Sequence, residues 1–337
     1  MTLDQDQRDL AAMCRRLLAA DLEPEAQWKS LADAGVLGLP VDGRLDDVGV
    51  FCLEAGRALC PRAVASTVYA VLAAHWLGVG TGLLPSLTSG ESRATAALFD
   101  PRDASDVTPR LRARRDGGRL RVSGVVDVVA DADTADVIVV TTDAWVAVVD
   151  LSAAGIDVET LALMGGFAAA TVRFDGVVVD DVAPADAAQL RRIANAVVAL
   201  DCLDLVGVAE AVIDRTVDYT RMREQFGRPI ASFQAAQHLV ADMHIAVAAA
   251  RLAAWSAVFW IGKGRSAVRE TAVARMRAAE VKKITLDAHQ LHGGMGYVVD
   301  TGLYRFSERA RILATLGGGA DIAATWLDDE THWEGTQ

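Results

Sequence analysis

Tyr219-Thr-Arg-Met-Arg223-Glu-Gln225-Phe226-Gly227-Arg228-Pro-Ile-Ala-Ser-Phe-Gln234 is the stretch on which the reading of this chain turns. Ahead of it, Leu205, Val208, Ala209, Val212, Ile213 and Val217 recur at the i, i+3, i+4, i+7 spacing of a helix with one buried stripe. That helix must stop near Gly227 and Pro229, because glycine relaxes into a left-handed cap and proline cannot continue the ladder. Arg223 then falls on the last turn, where its planar, permanently charged fork can meet a pyrophosphate, and Phe226 offers an apolar face to a neighbouring ring. Taken singly, Arg223 reads as well as a solvated helix end, and Phe226 as core.

Downstream, Ser232 can cap a helix over 233–262 and Ser266 another over 267–291. Gly293-Gly294 closes the latter, and without Cβ atoms these glycines leave backbone N–H groups open to phosphate oxygens. A further helix over 303–315 is interrupted by Gly317-Gly318-Gly319 and followed by a short one. Four long antiparallel helices make a bundle. One segment, His244 to Ile261, is almost wholly apolar, but Arg251 near its middle would cost roughly 2.5–3.5 kcal/mol in a spanning helix. A buried helix, with no membrane span, is the expectation.

Upstream, residues 93–186 change texture to short β-branched runs: Ala94 to Phe99, Leu111 to Arg115, Leu120 to Ser123, Val125 to Val129, Val137 to Thr142, Trp145 to Val149 and Thr171 to Val179. Asp116-Gly117-Gly118 sits between two of them as a hairpin turn. A small antiparallel barrel or sandwich is expected. Residues 1–92 read as helices, including Leu10 to Leu18, Gln27 to Ala34, Val50 to Leu59 and Ala63 to Leu77. The Gly78-Val-Gly-Thr-Gly82 run follows a helix and lacks a third glycine at dinucleotide spacing, so it reads as a loop. The fold class is therefore α+β: an N-terminal helical domain (1–92), a middle antiparallel β domain (93–186) and a C-terminal helical bundle (187–337).

With 45 Asp and Glu against 33 Lys and Arg, net −12, the chain lacks the cationic face that nucleic acid requires. Cys14, Cys52, Cys60 and Cys202 show no CxxC spacing, which argues against a disulfide framework or zinc site. His289 and His292 stand at i, i+3, but no third metal ligand is near in sequence. No Gly-x-Ser-x-Gly elbow is present, which disfavours a serine hydrolase. The polar, acidic start, Met-Thr-Leu-Asp, is unlike a signal peptide, so a cytoplasmic protein is expected.

Helices, then a β domain, then a bundle is the order of the acyl-CoA dehydrogenase family, and the motifs join the architecture. The Tyr219 to Gln234 stretch, continued by Leu239-Val-Ala-Asp242-Met243, resembles that family's C-terminal signature almost letter for letter. Gln290-Leu291-His292-Gly293-Gly294-Met-Gly296-Tyr297 is similar to its glycine turn. Weaker echoes are Trp28 to Gly38, Glu54 to Pro61, Ser89-Gly90-Glu91 and Val172 to Val177. The resemblance implies FAD as cofactor, bound through Arg223, Gln225, Phe226, Gln234, Gln290, Leu291, Gly293 and Gly294, and α,β-desaturation of an acyl-CoA thioester with an electron-transferring flavoprotein as acceptor.

The chain departs from the family where the chemistry lies. The family's usual base stands in a Tyr-Glu-Gly-Thr stretch, and the matching glutamate position here is Gly317. The alternative base position falls on Val197 or Val198. Asp204 occupies a place where some short members carry glutamate, and is the one candidate base. Read without the family, it is a carboxylate at or near the start of a helix, favoured by the dipole. The loop and Trp-Ile-Thr segment that grip the flavin ring are replaced by Phe99 to Asp106 and by Val128-Val129-Ala130. In the family the arginine signature and the glycine turn reach to a neighbour's FAD, whereas the ring sits in a subunit's own β domain. The resemblance therefore implies one subunit of a heteromeric enzyme, such as an α2β2 heterotetramer for steroid side-chain acyl-CoA, with a paralogous partner supplying flavin pocket and base. The alternatives are a self-sufficient homotetramer using Asp204 and a non-catalytic structural paralogue.

Overall fold

The computed structural model describes residues 3–20, 22–116 and 119–331. Helices come first: α1 (Gln5–Leu18), α2 (Pro24–Asp33), α3 (Leu39–Asp42), α4 (Leu45–Ala58), α5 (Arg62–Leu77) and α6 (Leu84–Thr88). Asp4 accepts from the Gln7 N–H at 3.0 Å while Gln7 accepts from the Asp4 N–H, a reciprocal cap that fixes where α1 begins. Gly78 ends α5 at φ +69°, so the glycine run after it is a loop between helices, as its sequence suggests.

Eight strands follow: β1 (Ala94–Ala97), β2 (Leu111–Asp116), β3 (Arg119–Ala130), β4 (Val137–Thr141), β5 (Trp145–Asp150), β6 (Ile156–Ala162), β7 (Ala168–Val179) and β8 (Val182–Pro184). They form two four-stranded sheets, ordered β1-β4-β5-β8 and β2-β3-β7-β6. The expected all-antiparallel arrangement holds except at β1 and β4, which pair in parallel. The chain leaves β1 for the other sheet and returns through β3, so it enters β4 in the same direction. The runs on either side of Gly124 are a single strand, irregular between Val122 and Gly124 and between Val126 and Val129. Asp116 pairs with Arg119 across the hairpin whose turn residues, Gly117 and Gly118, lie outside the described residues.

The bundle is α7 (Ala187–Met222), a two-residue hairpin of β9 (Glu224–Gln225) and β10 (Arg228–Pro229), then α8 (Gln234–Gly262), α9 (Val268–Ala278), α10 (Val281–His292), α11 (Leu303–Leu313) and α12 (Ala320–Thr331). The helix expected over 267–291 is two, because the ladder tightens to i→i−3 bonds at Glu280 and Lys283. Neither serine caps its helix: the Ser232 hydroxyl donates to the Pro229 carbonyl, and the Ser266 carbonyl accepts from Asn195. α7 is the spine. Its predicted stripe of Leu205, Val208, Ala209, Val212 and Ile213 is buried. α4 crosses it at two glycines, where a Cβ on Gly207 would lie 2.0 Å from the Leu53 carbonyl oxygen and one on Gly56 1.9 Å from that of Asp204.

α8 corrects a simpler expectation. Met243, Val247, Ala250, Ala254 and Val258 are buried, but Ile245 and Leu252 are 68 % and 65 % exposed on the opposite side. The helix is long and apolar enough to cross a membrane by length and composition alone. In this fold it packs against α7, α9 and α4 along one side only.

Candidate functional site

Two regions hold the candidate residues, one facing outward and one enclosed. In the outward region α7 ends at Met222 with Arg223 as its C-cap, and the hairpin turns at Phe226 and Gly227, with φ of +55° and +78°. Positive φ at both central residues is the geometry that matches strand twist in a two-residue turn. For a bulky side chain the first of these is a backbone outlier. The turn holds Phe226 93 % exposed, its ring edge-on to Phe233 at 6.2 Å between centroids. Arg223, Gln225 and Gln234 are exposed too, and Arg223 makes no ion pair among the described residues.

The glycine turn lies at the C-terminus of α10. Gln290, Gly293 and Gly294 are exposed and Leu291 is buried. Gly293 has φ +57° and ψ −138°, which demands glycine, while a Cβ on Gly294 would meet nothing within 4 Å. Gly294 is therefore unforced by the chain's own packing, leaving room for a ligand beside its backbone. Gly296 differs: a Cβ there would lie 3.0 Å from the His289 carbonyl oxygen.

Tyr219 and His292 join the two motifs. Their rings stack at 4.3 Å, and the Tyr219 hydroxyl donates to the His292 carbonyl at 3.3 Å. Arg223 and Gly293 are thus brought to one side of the molecule. Among the described residues no hydrogen bond or ring contact ties Gln225, Phe226 or Gln234 to Gln290, Leu291 or the glycines. Sequence reasoning assigned no part to the Tyr219–His292 pair, although both residues stand inside the quoted motifs.

The enclosed region lies between the β domain, α5 and α7. Thr95, Phe99, Val128, Val197, Asp201 and Gly317 are among the residues around a cavity of about 90 Å³. Ligand pockets run to roughly 300–1,000 Å³. The Gly317 N–H donates to the Pro101 carbonyl at 2.6 Å and the Gly317 carbonyl accepts from Ala104 at 2.9 Å, so this turn is tied to the loop from Asp100 to Asp106. That loop's carboxylates are engaged in the fold: Asp103 accepts from the Trp326 indole and Asp106 pairs with Arg110. Arg275, fully buried, donates to the carbonyls of Leu313 and Leu316 on the approach to Gly317.

Beside the cavity stands a buried charge cluster. Arg309 binds both oxygens of Asp204 at 2.8 and 2.5 Å, and Arg62 lies 3.0 Å from Asp201 and 3.7 Å from Asp204. The Tyr69 hydroxyl donates to Asp201 at 2.9 Å. Burial opposes the charge on Arg62, but Asp201, Tyr69 and Asp204 more than offset it and hold its pKa well above the ordinary value. Burial likewise drives the Tyr69 phenol well up, with Asp201 adding to it. Asp204 is 1 % exposed, in mid-helix, and both of its oxygens go to Arg309. Reading it as a carboxylate at a helix start is therefore wrong: α7 begins at Ala187, so the dipole of its first turn does not reach Asp204. Nor does Asp204 line the cavity, which it would have to do as a base.

Residues 191–328 match the model of the acyl-CoA dehydrogenase C-terminal domain. Acyl-CoA dehydrogenase FadE28 of Mycobacterium tuberculosis is 31 % identical over 317 residues, covering 88 % of this chain and 90 % of that protein. The chain belongs to the acyl-CoA dehydrogenase family. Acyl-CoA dehydrogenases are FAD-dependent oxidoreductases. Other relatives match over less: 3-sulfinopropanoyl-CoA desulfinase of Paraburkholderia xenovorans is 41 % identical over 136 residues, 40 % of this chain but only 33 % of that enzyme. Among solved acyl-CoA dehydrogenase structures, the steroid ACAD Tcur3481-Tcur3483 superposes with a TM-score of 0.88 at 26 % identity, over 100 % of both chains. The ChsE4-ChsE5 complex of Mycobacterium tuberculosis superposes with 0.84 at 25 % identity, over 100 % of this chain and 99 % of that one.

Within the acyl-CoA dehydrogenase fold the two regions differ in their fit to FAD. The outward one offers an unpaired guanidinium, an exposed aromatic face and open backbone at Gly294, the donors a dinucleotide's phosphates and adenine require. At the other region no carboxylate stands at Gly317, and the cavity of about 90 Å³ adjoins a cleft of about 360 Å³ along Ala97, Phe99, Pro101 and Asp127.

Proposed function

We propose that this chain is one subunit of an FAD-dependent acyl-CoA dehydrogenase, a cytoplasmic enzyme that desaturates the α,β bond of an acyl-CoA thioester, and that it lends a clamp to FAD seated mainly in a paralogous partner. One observation carries the reading: the clamp residues Arg223, Gln225, Phe226, Gln290, Gly293 and Gly294 are all exposed, while the chain's own cavity has Gly317 where the family's base would stand.

Each clamp residue has a stated task. Arg223 sets a fixed positive fork against pyrophosphate, Phe226 gives an apolar face to the adenine, and Gly293 and Gly294 admit phosphate oxygens to backbone N–H groups. Gln225, Gln234 and Gln290 supply amide donors and acceptors at the edges, and Leu291 anchors the turn in the core. FAD, when bound, supplies the hydride acceptor for the reaction, and the proton falls to a base in the partner. The exposed apolar stripe of α8, with Ile245 and Leu252, supports a further chain packed on this face, an α2β2 heterotetramer being the assembly proposed. A steroid side-chain CoA as substrate and an electron-transferring flavoprotein as acceptor complete the proposal.

The test is co-expression with a paralogous acyl-CoA dehydrogenase, followed by absorption spectra of each chain and of the complex. The chain alone should be colourless, and the complex yellow and active. Stoichiometric FAD on the chain alone, with oxidation of an acyl-CoA, would overturn the reading.

A further inference from the structure

On a chain of net charge −12, four arginines converge on one cleft of about 430 Å³ between the C-terminal ends of α1 and α4, the C-terminal part of α7 and the start of α11. Two of them are engaged. Arg15 grips Glu54, the one acid in the cleft wall, at 2.8 and 2.7 Å, and Arg57 pairs with Glu210 and, at 2.8 Å, with Asp214. Arg215 and Arg305 are exposed and make no ion pair among the described residues. The Arg215 guanidinium lies over the buried Phe306 ring, 5.1 Å from its centroid, a contact that orients the group and leaves its N–H donors free.

We infer that this cleft binds a small molecule bearing a phosphate group, with Arg215 and Arg305 as its anion ligands. A guanidinium fork matches the oxygens of a phosphate two at a time, and two unpaired forks suit a doubly charged group better than a single carboxylate. The volume lies within the range of small-molecule pockets. Leu18, Ala58 and Leu59 give an apolar wall for the body of the ligand. Gly302, also in the wall, begins α11; its only side-chain acceptor among the described residues is the Thr301 hydroxyl, 3.5 Å from the Leu303 nitrogen, so the positive end of an 11-residue helix adds to the same field. Glu210 and Asp214 stand beyond Arg57 and bound the positive region on that side. The cleft shares no residue with the clamp or the enclosed cavity, and the inference does not rest on the proposed function.

The phosphate could come from a free nucleotide or from coenzyme A. Isothermal titration of the full chain with inorganic pyrophosphate, ATP and the adenosine bisphosphate of coenzyme A distinguishes them. Saturable binding, one ligand per chain, is expected, weakened about tenfold or more by Arg215→Gln or Arg305→Gln. Arg215→Lys, which keeps the charge and loses the fork, should fall between. Preference for the adenosine bisphosphate assigns the site to coenzyme A, and preference for ATP to a free nucleotide. Arg223→Gln, at the clamp, should leave the binding unchanged. Binding lost in Arg223→Gln but untouched by the two cleft variants, or no saturable binding of any probe, overturns the inference.

Discussion

The ring of Tyr219, one turn before the end of α7, lies on the ring of His292, the last residue of α10, with centroids 4.3 Å apart and planes 18° apart. Arg223 follows the first by one helical turn, and Gly293 follows the second directly. The stack therefore sets the spacing between the guanidinium and the glycine backbone that the proposed clamp would offer to a dinucleotide. Tyr219→Leu should cost the chain only about 1 kcal/mol of stability, since an aromatic pair adds about that much beyond its burial. Its larger effect should be on the assembled enzyme, with FAD affinity falling about tenfold through lost orientation. Fluorescence titration of FAD into the complex, set beside urea unfolding of the chain, would separate the two.

Acid should loosen the same joint. Burial is the main cause of a lowered pKa at both His289 and His292, with Arg311 adding at the first, and His289 and Arg215 at the second. Backbone hydrogen bonds, from His292 Nδ1 to the Ala288 carbonyl and between His289 and Gly296, act in the opposite sense and favour the charged rings, but burial outweighs them. The unfolded chain therefore takes up protons before the folded one, and stability falls as pH drops below about 6.5, the ordinary histidine value. Unfolding midpoints measured from about pH 7.5 down to about 5.5 should decline, and His292→Gln should flatten the decline. A midpoint that stays level over this range would contradict the assignment.

Much of this was legible in the sequence, because long apolar periodicity and turn residues act locally. The stripe of α7 and the loop at Gly78 can be read from spacing alone, whereas Arg223, Phe226 and the glycine turn stand out only through the family resemblance. Tertiary pairing cannot be read either way. Asp204 looked like a helix-start carboxylate because its partners, Arg62 and Arg309, stand 142 and 105 residues away and nothing local announces them. The parallel pairing of β1 with β4 is hidden for the same reason. The composition of α8 points to a buried helix, yet composition does not say which of its faces has a neighbour within the chain.

The cluster around Asp204 should matter to folding more than to turnover. Removing one partner of a buried ion pair leaves the other charge uncompensated, at about 3–5 kcal/mol. Asp204→Asn should therefore lower the urea midpoint sharply, and Arg309→Met should do the same, since Arg309 also donates to the Cys60 carbonyl at 2.7 Å. Turnover per assembled enzyme should hold, because neither residue lines the enclosed cavity. A loss of turnover in Asp204→Asn with the fold intact would favour a homotetramer that uses this carboxylate as base.

Restoring the family's glutamate should not restore a catalyst. Gly317 sits at φ +74°, so any L side chain there strains the backbone by roughly 1–2 kcal/mol. Space is not the obstacle: a Cβ would make ordinary contacts, 3.5 Å from Ala104 and Val198 and 3.7 Å from Arg275 Nη2. Chemistry is. A carboxylate added at this point would meet the buried Arg275 guanidinium and pair with it, which favours the ionised form but fixes its oxygens away from a substrate carbon. The added side chain would also take up part of the adjoining cavity of about 90 Å³. Gly317→Glu should thus yield a slightly less stable chain with no acyl-CoA oxidation of its own, and Gly317→Glu combined with Arg275→Met should remain inactive while losing further stability. A dye-reduction assay with an acyl-CoA, run on the chain alone with added FAD, reads the outcome. Turnover from the single variant would place a working flavin site inside this subunit.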